Sequence, residues 1–230
     1  IKLSNDVMVN SIEFKKSFEK KFKVKVACIY NPFNKNFIID KLKSKKKLKF
    51  FKKNYLNIIS VGRLTDQKDH LTLLKSIKLL EPEFKIKVII IGKGINKKPL
   101  QNFITENKLK EKIKLLGYTN NPFPYIRKAN IVILTSRFEG LPNILLEAQY
   151  LRKYIISTDC PTGPREILLN GKAGDLIKIK DHKKLSLLIK EYHNKKKLIA
   201  NKINIGSKNF YRFNYELNCK KYLDFVNKNF

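Results

Sequence analysis

From Tyr55 onward, short apolar runs alternate with segments whose apolar residues recur at helical spacing, the pattern of βαβ units around a parallel sheet. Five runs read as strands: Leu56–Val61, Ile86–Ile91, Ile113–Leu116, Ile131–Leu134 and Tyr154–Ser157. Between the first two, Leu71, Leu74, Ile77 and Leu80 fall on one helical face, which predicts a helix packed on the sheet. The expected fold is α/β, a doubly wound, Rossmann-like parallel sheet with right-handed crossovers. Such sheets bind ligands at the carboxyl ends of their strands. That edge collects Gly62-Arg63, Gly92-Lys93-Gly94, Gly117-Tyr118, the run Thr135 to Gly140 and the run Thr158 to Pro161.

The flanks differ. Residues 1–30 hold a polar helix candidate around Ser11–Phe22 and a strand-like Val24–Ile29, too little for a domain. Residues 31–54, entered through the turn Asn31-Pro32, read as a linker, 55–210 as the sheet domain, and 211–230 as a terminal helix with apolar spacing at Tyr215, Leu217, Tyr222, Leu223 and Phe225. The start, Ile1-Lys2-Leu3-Ser4, is neither a signal peptide nor an initiator Met, so the chain reads as a fragment.

Composition narrows the classes. With 43% apolar residues in 230, the chain carries a core despite a formal charge of +31 from 50 basic and 19 acidic residues. Cys28, Cys160 and Cys219 lie far apart without metal-ligand spacing, which argues for reduced thiols in a cytoplasm. No apolar run approaches the roughly 18 residues that span a bilayer. The charge raises nucleic acid or an anionic membrane as partners. Only six of the 50 basic residues are Arg, the residue suited to bidentate recognition. Solvated lysines from an AT-rich coding sequence explain the balance better, and no specific nucleic-acid partner is expected. The eight lysines between 41 and 53 read as a solvated linker. The alternative is a patch touching an anionic membrane, at on the order of 1 kcal/mol per surface Lys.

Three segments carry candidate chemistry. In Gly62-Arg63-Leu64-Thr65-Asp66-Gln67-Lys68, a glycine permits close backbone approach, while two cations near a helix N-terminus suit a diphosphate. In Glu139-Gly140-Leu141-Pro142-Asn143 through Glu147, Pro142 suits a first helical turn, so Glu139 lies on the loop and Glu147 within the helix. The two carboxylates can flank one elongated ligand, although the spacing alone does not indicate a paired acid and base. In Asp159 through Leu168, two prolines and a glycine fix a rigid turn with Arg165 and Glu166 in a first helical turn; ligand contact and packing against a neighbouring loop both remain open. Gly92-Lys93-Gly94 lacks the third glycine of a dinucleotide fingerprint, which argues against an NAD site. His70, His182 and His193 have no metal-spaced partner and read as solvated or helix-surface residues, and Ser136 lacks a nucleophile-elbow context, so neither a metal nor a covalent nucleophile is indicated.

Taken in order, Val61-Gly62-Arg63-Leu64 with Lys68, Ile90-Ile91-Gly92-Lys93-Gly94, Leu116-Gly117-Tyr118, Ser136, Glu139-Gly140-Leu141-Pro142 and Glu147-Ala148 resemble the donor-binding C-terminal half of a retaining GT-B glycosyltransferase of family four. The Asp159 to Leu168 turn and Asn170-Gly171 further resemble members that build bacterial surface polysaccharide or lipopolysaccharide, often from hexoses or N-acetylhexosamines. The resemblance implies that Arg63 and Lys68 grip the diphosphate of a nucleotide sugar, expected to be UDP-linked, and that Glu139 contacts the sugar hydroxyls. Gly62 and Tyr118 would border the donor, the latter at the base; Gly140, Leu141 and Asn143 would present backbone; Glu147 would hold the ribose. It also implies transfer to a hydroxyl of a glycan or lipid-linked acceptor, with no metal, no cofactor and no protein nucleophile. The enzyme would be cytoplasmic, with peripheral contact at the inner membrane face. Residues 1–30 would then end an acceptor domain, Asn31-Pro32 would cross between domains and the terminal helix would return. A hydrolase or phosphorylase of the same fold, a basic surface-binding module, and a donor-binding fragment inactive alone are the rivals. Arg152 and Tyr154 depart from the Gly and Pro common in the family, which puts the local helix cap in question.

Overall fold

The computed structural model describes residues 7–44 and 48–229, so Ile1–Ser4 and the lysines at 45, 46 and 47 lie outside the described residues. The elements run β1 (Val7–Val9), α1 (Ile12–Phe22), β2 (Val26–Cys28), α2 (Lys35–Leu42), β3 (Leu56–Val61), α3 (His70–Lys78), β4 (Ile86–Ile91), α4 (Lys97–Glu106), β5 (Ile113–Gly117) and α5 (Phe123–Lys128). They continue with β6 (Ile131–Leu134), α6 (Asn143–Tyr150), β7 (Tyr154–Thr158), α7 (Pro164–Ile167), β8 (Asp175–Ile177), α8 (His182–Lys190), α9 (Lys196–Lys208), a 3-10 turn Phe210–Phe213 and α10 (Tyr215–Asn229).

Strands β3 to β8 form one parallel sheet in the order β5-β4-β3-β6-β7-β8, while β1 and β2 pair separately. The pleat sorts the strand residues between two cores. Ile58, Val88, Ile90, Ile133 and Ile156 face Leu73, Leu74 and Ile77 of α3 and Leu185 and Ile189 of α8. Ile59, Ile89, Ile91, Val132, Leu134 and Ile155 face Ile126 of α5, Leu145 and Leu146 of α6, and Phe213. Burial on both faces is why these strands read as continuous apolar runs.

Several expectations are corrected. In the lysine-rich stretch 41–53, read as solvated, Phe51 is buried in the second core; before it, α2 is capped by Asn34 Oδ1 accepting from the Phe37 N–H at 3.0 Å and buries Ile38 there. Leu71 is exposed, and Leu73 takes its place on the packed face of α3. The strand β8, three residues long, pairs with β7 but carries too short a run to stand out in the sequence. Arg152 keeps the left-handed cap at φ 53, and its guanidinium donates to Ser207 Oγ at 3.1 Å and Asn204 Oδ1 at 2.5 Å on α9. These bonds offset the cost of about 1 kcal/mol that a side chain carries there. Tyr154 is buried in the first core and donates its hydroxyl to Asp175 of β8.

Candidate active site

The strand order reverses between β3 and β6, because β4 and β5 lie to one side and β7 and β8 to the other. Loops leaving adjacent strands in opposite directions open a crevice, and this switch point is where an open α/β sheet admits a ligand. Here it is bounded by residues 62–69 after β3 and 135–142 after β6. Arg137 N–H donates to the Gln67 carbonyl at 2.8 Å, and Thr135 Oγ1 donates to the Lys68 carbonyl at 3.1 Å. The two loops are thus tied by backbone before any charged contact is made.

The charges converge on Glu139. Lys68 Nζ donates to Glu139 Oε1 at 2.5 Å, and Ser136 Oγ donates to the same oxygen at 2.6 Å. The Glu139 side chain is only 7% exposed, so losing Lys68 would strand a desolvated carboxylate. Arg63 Nη2 donates to Gln67 Oε1 at 3.3 Å, and Gln67 Nε2 donates to the Phe138 carbonyl at 3.1 Å. Lys68 therefore ends on Glu139 itself, whereas Arg63 stays on its own loop and is linked to the Glu139 segment through Gln67; the exposed Arg63 keeps donors for an anion. Gly62 makes room for Lys68, since a Cβ there would meet Lys68 Cδ at 3.3 Å.

Two other glycines shape this edge by close approach. At Gly92 a Cβ would fall 1.9 Å from the Gly62 carbonyl oxygen, so the turn after β4 lies on the backbone of the phosphate-suited loop. Gly163, at φ 85, would place a Cβ 2.1 Å from the Gly140 carbonyl oxygen. The 159–168 turn thus packs on the 139–142 loop: Thr162 Oγ1 donates to the Glu139 carbonyl, and Arg165 Nε donates to Asp159 Oδ1 at 3.0 Å. Glu166 accepts the Ile12 N–H at 3.0 and 3.1 Å and the Tyr30 hydroxyl. The packing of this turn on its neighbouring loop is thus seen.

The remaining predicted residues fall into two places. Glu147 and Asn143 of α6 line a cleft of about 140 Å³ with Asn31, Phe33, Phe37 and Phe123. The Glu147 carboxylate has no hydrogen-bond or ion-pair partner among the described residues, and burial pushes it up to about 7. Glu147 and Glu139 share no contact. Tyr118, beyond β5, is 70% exposed, and Lys93 Nζ lies 5.4 Å from its ring centroid. Leu141 is buried in the second core, which leaves its backbone for the crevice, and Gly140 faces Asn10. His70 departs from expectation: it is buried beside Ser60 Oγ, 3.3 Å from Nδ1, and burial lowers it to about 4. It is neutral at pH 7 and belongs to the core. Among the described residues no group of three or more His, Cys, Asp or Glu is arranged to hold a metal ion, and no helix is long and apolar enough to cross a membrane.

Sequence reasoning passed over Ser136, Gln67, Asn10 and Asn31. Ser136, quoted in the resemblance without a role and discounted as a nucleophile, donates its hydroxyl to the acid three residues later.

The sequence profile of the group 1 glycosyl transferases matches residues 40–209. An uncharacterized glycosyltransferase of Methanocaldococcus jannaschii is 36% identical over 178 residues, which are 73% of this chain and 43% of the relative. From Campylobacter jejuni, the N-acetylgalactosamine-N,N'-diacetylbacillosaminyl-diphospho-undecaprenol 4-alpha-N-acetylgalactosaminyltransferase is 31% identical over 169 residues, 72% of this chain and 46% of its own. The crystal structure of Anabaena Alr3699/HepE in complex with UDP superposes with a TM-score of 0.85 at 19% identity, covering 99% of this chain and 65% of that one. The chain spans about half the length of the curated relatives it matches.

Proposed function

The chain belongs to the group 1 glycosyl transferases, and from that membership we propose that it is the donor-binding half of a retaining enzyme of surface polysaccharide assembly. The enzyme moves a hexose or N-acetylhexosamine from a UDP-linked donor to a hydroxyl of a glycan or lipid-linked acceptor. The single observation that carries this reading is the meeting of Lys68 with Glu139, and of Arg63 through Gln67 with Phe138, across the switch-point crevice.

In this reading Arg63 and Lys68 face the donor diphosphate, where negative charge grows as the sugar–phosphate bond breaks, and they stabilise the leaving group without a metal. Lys68 is already oriented by Glu139, so little rearrangement is needed at the moment of reaction. Glu139 then shares its second oxygen with a sugar hydroxyl. Gly62, and Gly140 with Leu141 and Asn143, admit the donor against backbone; Glu147 accepts ribose hydroxyls; Tyr118 borders the base. The acceptor hydroxyl attacks from the face on which the leaving group departs.

The Anabaena protein was crystallised with UDP, and the Campylobacter relative is named for an undecaprenol-linked substrate, which supports the donor and acceptor classes. Peripheral contact with an anionic membrane is proposed for the lysine-rich stretch 41–53, where Lys43, Lys49, Lys52 and Lys53 are exposed among the described residues. Salt-sensitive cosedimentation with phosphatidylglycerol vesicles checks that part. A saturation-transfer NMR screen of UDP, GDP and their sugars against the chain tests the whole: UDP-sugar signals are expected, and silence from every nucleotide overturns the proposal.

A further inference from the structure

Three asparagines form a relay beside the loop that begins at Glu139. Asn10, between β1 and α1, donates Nδ2 to Asn31 Oδ1 at 3.2 Å, and Asn31 donates Nδ2 to Asn143 Oδ1 at 3.1 Å. Asn10 and Asn31 lie outside the span matched by the family profile, residues 40–209, while Asn143 begins α6 within it. The relay therefore joins a segment outside the matched span to one inside it.

The relay is held from behind. Glu166 accepts from the Ile12 N–H and the Tyr30 hydroxyl, which fixes the backbone two residues after Asn10 and one residue before Asn31. Ser11, buried between them, caps α1 by accepting from the Phe14 N–H at 3.1 Å. Two short loops are thereby clamped to the turn that follows β7, and the Asn10 side chain is left directed at the crevice loop.

Its open end points to a ligand. A carboxamide offers two donors and an acceptor oxygen. Among the described residues, no donor reaches Asn10 Oδ1, and that atom lies 3.8 Å from where a Cβ at Gly140 would stand. At the other end of the relay no acceptor meets Asn143 Nδ2. Reversing all three amides merely exchanges which end donates. The relay carries no charge, whereas Arg63 and Lys68 supply the cations of the crevice. An uncharged donor–acceptor row suits hydroxyl or acetamido groups rather than phosphate.

We infer that Asn10, oriented through Asn31, is a specificity-determining residue that reads the neutral sugar of the donor on the Gly140 side of the crevice. This rests on the proposed donor site and adds a reader contributed from outside the span matched by the family profile. Gly140 fits this role, because φ is not in the left-handed region there and a methyl would make only an ordinary contact with Asn10. The open space beside it is available to a ligand.

Calorimetric titration of the chain with UDP, UDP-glucose and UDP-N-acetylglucosamine tests the inference through the difference between each sugar nucleotide and UDP alone. In Asn10→Ala the preferred sugar nucleotide is expected to weaken about 3- to 10-fold, the worth of one or two hydrogen bonds, with UDP affinity kept within about 2-fold. UDP binding on the same sample reports that the variant has folded. Asn31→Leu should remove the same increment, and the double variant should lose no more than either alone, as coupled residues do. An equal loss for UDP and its sugars, or no change for any of the three, overturns the relay while leaving the donor site standing. Failure of the unsubstituted chain to bind UDP overturns the donor site and the relay together.

Discussion

Glu139 and Glu147 are eight residues apart and of one chemical type, yet the fold treats them oppositely. Glu139 sits where the loops after β3 and β6 converge and receives Lys68 and Ser136 on one oxygen. Glu147, one helix turn and a half into α6, is withdrawn from water without a counter-charge, and burial raises it to about 7. The first has its cation and hydroxyl donor in place; burial favours the neutral form of the second, whose carboxyl has no donor among the described residues. In the proposed donor site the paired carboxylate would hold a cation ready and the unpaired one, in its own cleft, would accept hydroxyls.

The comparison breaks most completely at Lys68. Lys68→Ala leaves Glu139 buried with a single hydroxyl donor, a change worth about 3 kcal/mol of stability by the usual cost of breaking a buried pair. It also removes a cation from the proposed diphosphate site, so UDP affinity and turnover in the full-length enzyme should fall at least ~10-fold. Denaturant melts and calorimetry read both. Intact UDP affinity would remove Lys68 from the site.

Gly163→Ala attacks the same side indirectly. Its methyl would collide with the Gly140 carbonyl at a left-handed backbone position, so the 139–142 loop must shift. A loss of about 2 kcal/mol is expected, with UDP affinity lowered although no ligand contact has been removed. A variant with wild-type melting would show that this loop does not depend on the 159–168 turn.

Much of this was legible before the fold was known, and the boundary follows physical lines. The five strands named from the sequence recur within one residue of their observed ends, since each is short and rich in Ile, Leu, Val or Tyr. The sheet edge at the switch point followed from strand position alone; Lys68 and Glu139 meet there, and Arg63 is linked to the Phe138 carbonyl through Gln67. What escaped depends on contacts between distant segments. Asn10, Asn31 and Glu166 are polar residues in a chain full of them, and only tertiary docking brings them together. The burial of His70 was hidden because a charge-capable residue at a helix start looks solvated in sequence.

On the Glu147 side the effects are smaller and appear as pH dependence. A carboxyl whose folded value is raised from its ordinary 4.5 to about 7 contributes stability that is fully present below pH 4.5 and lost as pH climbs through 7. Glu147→Gln stays neutral throughout. It should therefore flatten this decline and exceed wild-type stability by on the order of 2 kcal/mol at pH 8, while melting like wild type at pH 4. Parallel melts across that range check it. Equal slopes for the two proteins would mean that Glu147 is hydrated.

The smallest signal is the most specific to function. If ribose hydroxyls donate to Glu147, UDP binding favours its charged form and draws its pKa back toward 4.5, so the complex holds fewer protons than the free chain. Between pH 5.5 and 7 binding should release a fraction of one proton, seen as a dependence of the calorimetric enthalpy on the buffer's ionisation enthalpy. At pH 4, where the carboxyl is protonated before binding and largely so after it, and at pH 9, where it is charged throughout, the dependence should vanish from this source. Glu147→Gln should abolish it at every pH and weaken UDP by no more than the few-fold worth of its hydrogen bonds, whereas Lys68→Ala should keep the proton release on whatever binding survives. A release that disappears with Lys68 but persists without Glu147 would exchange the two roles, making the paired side of the crevice the one that titrates.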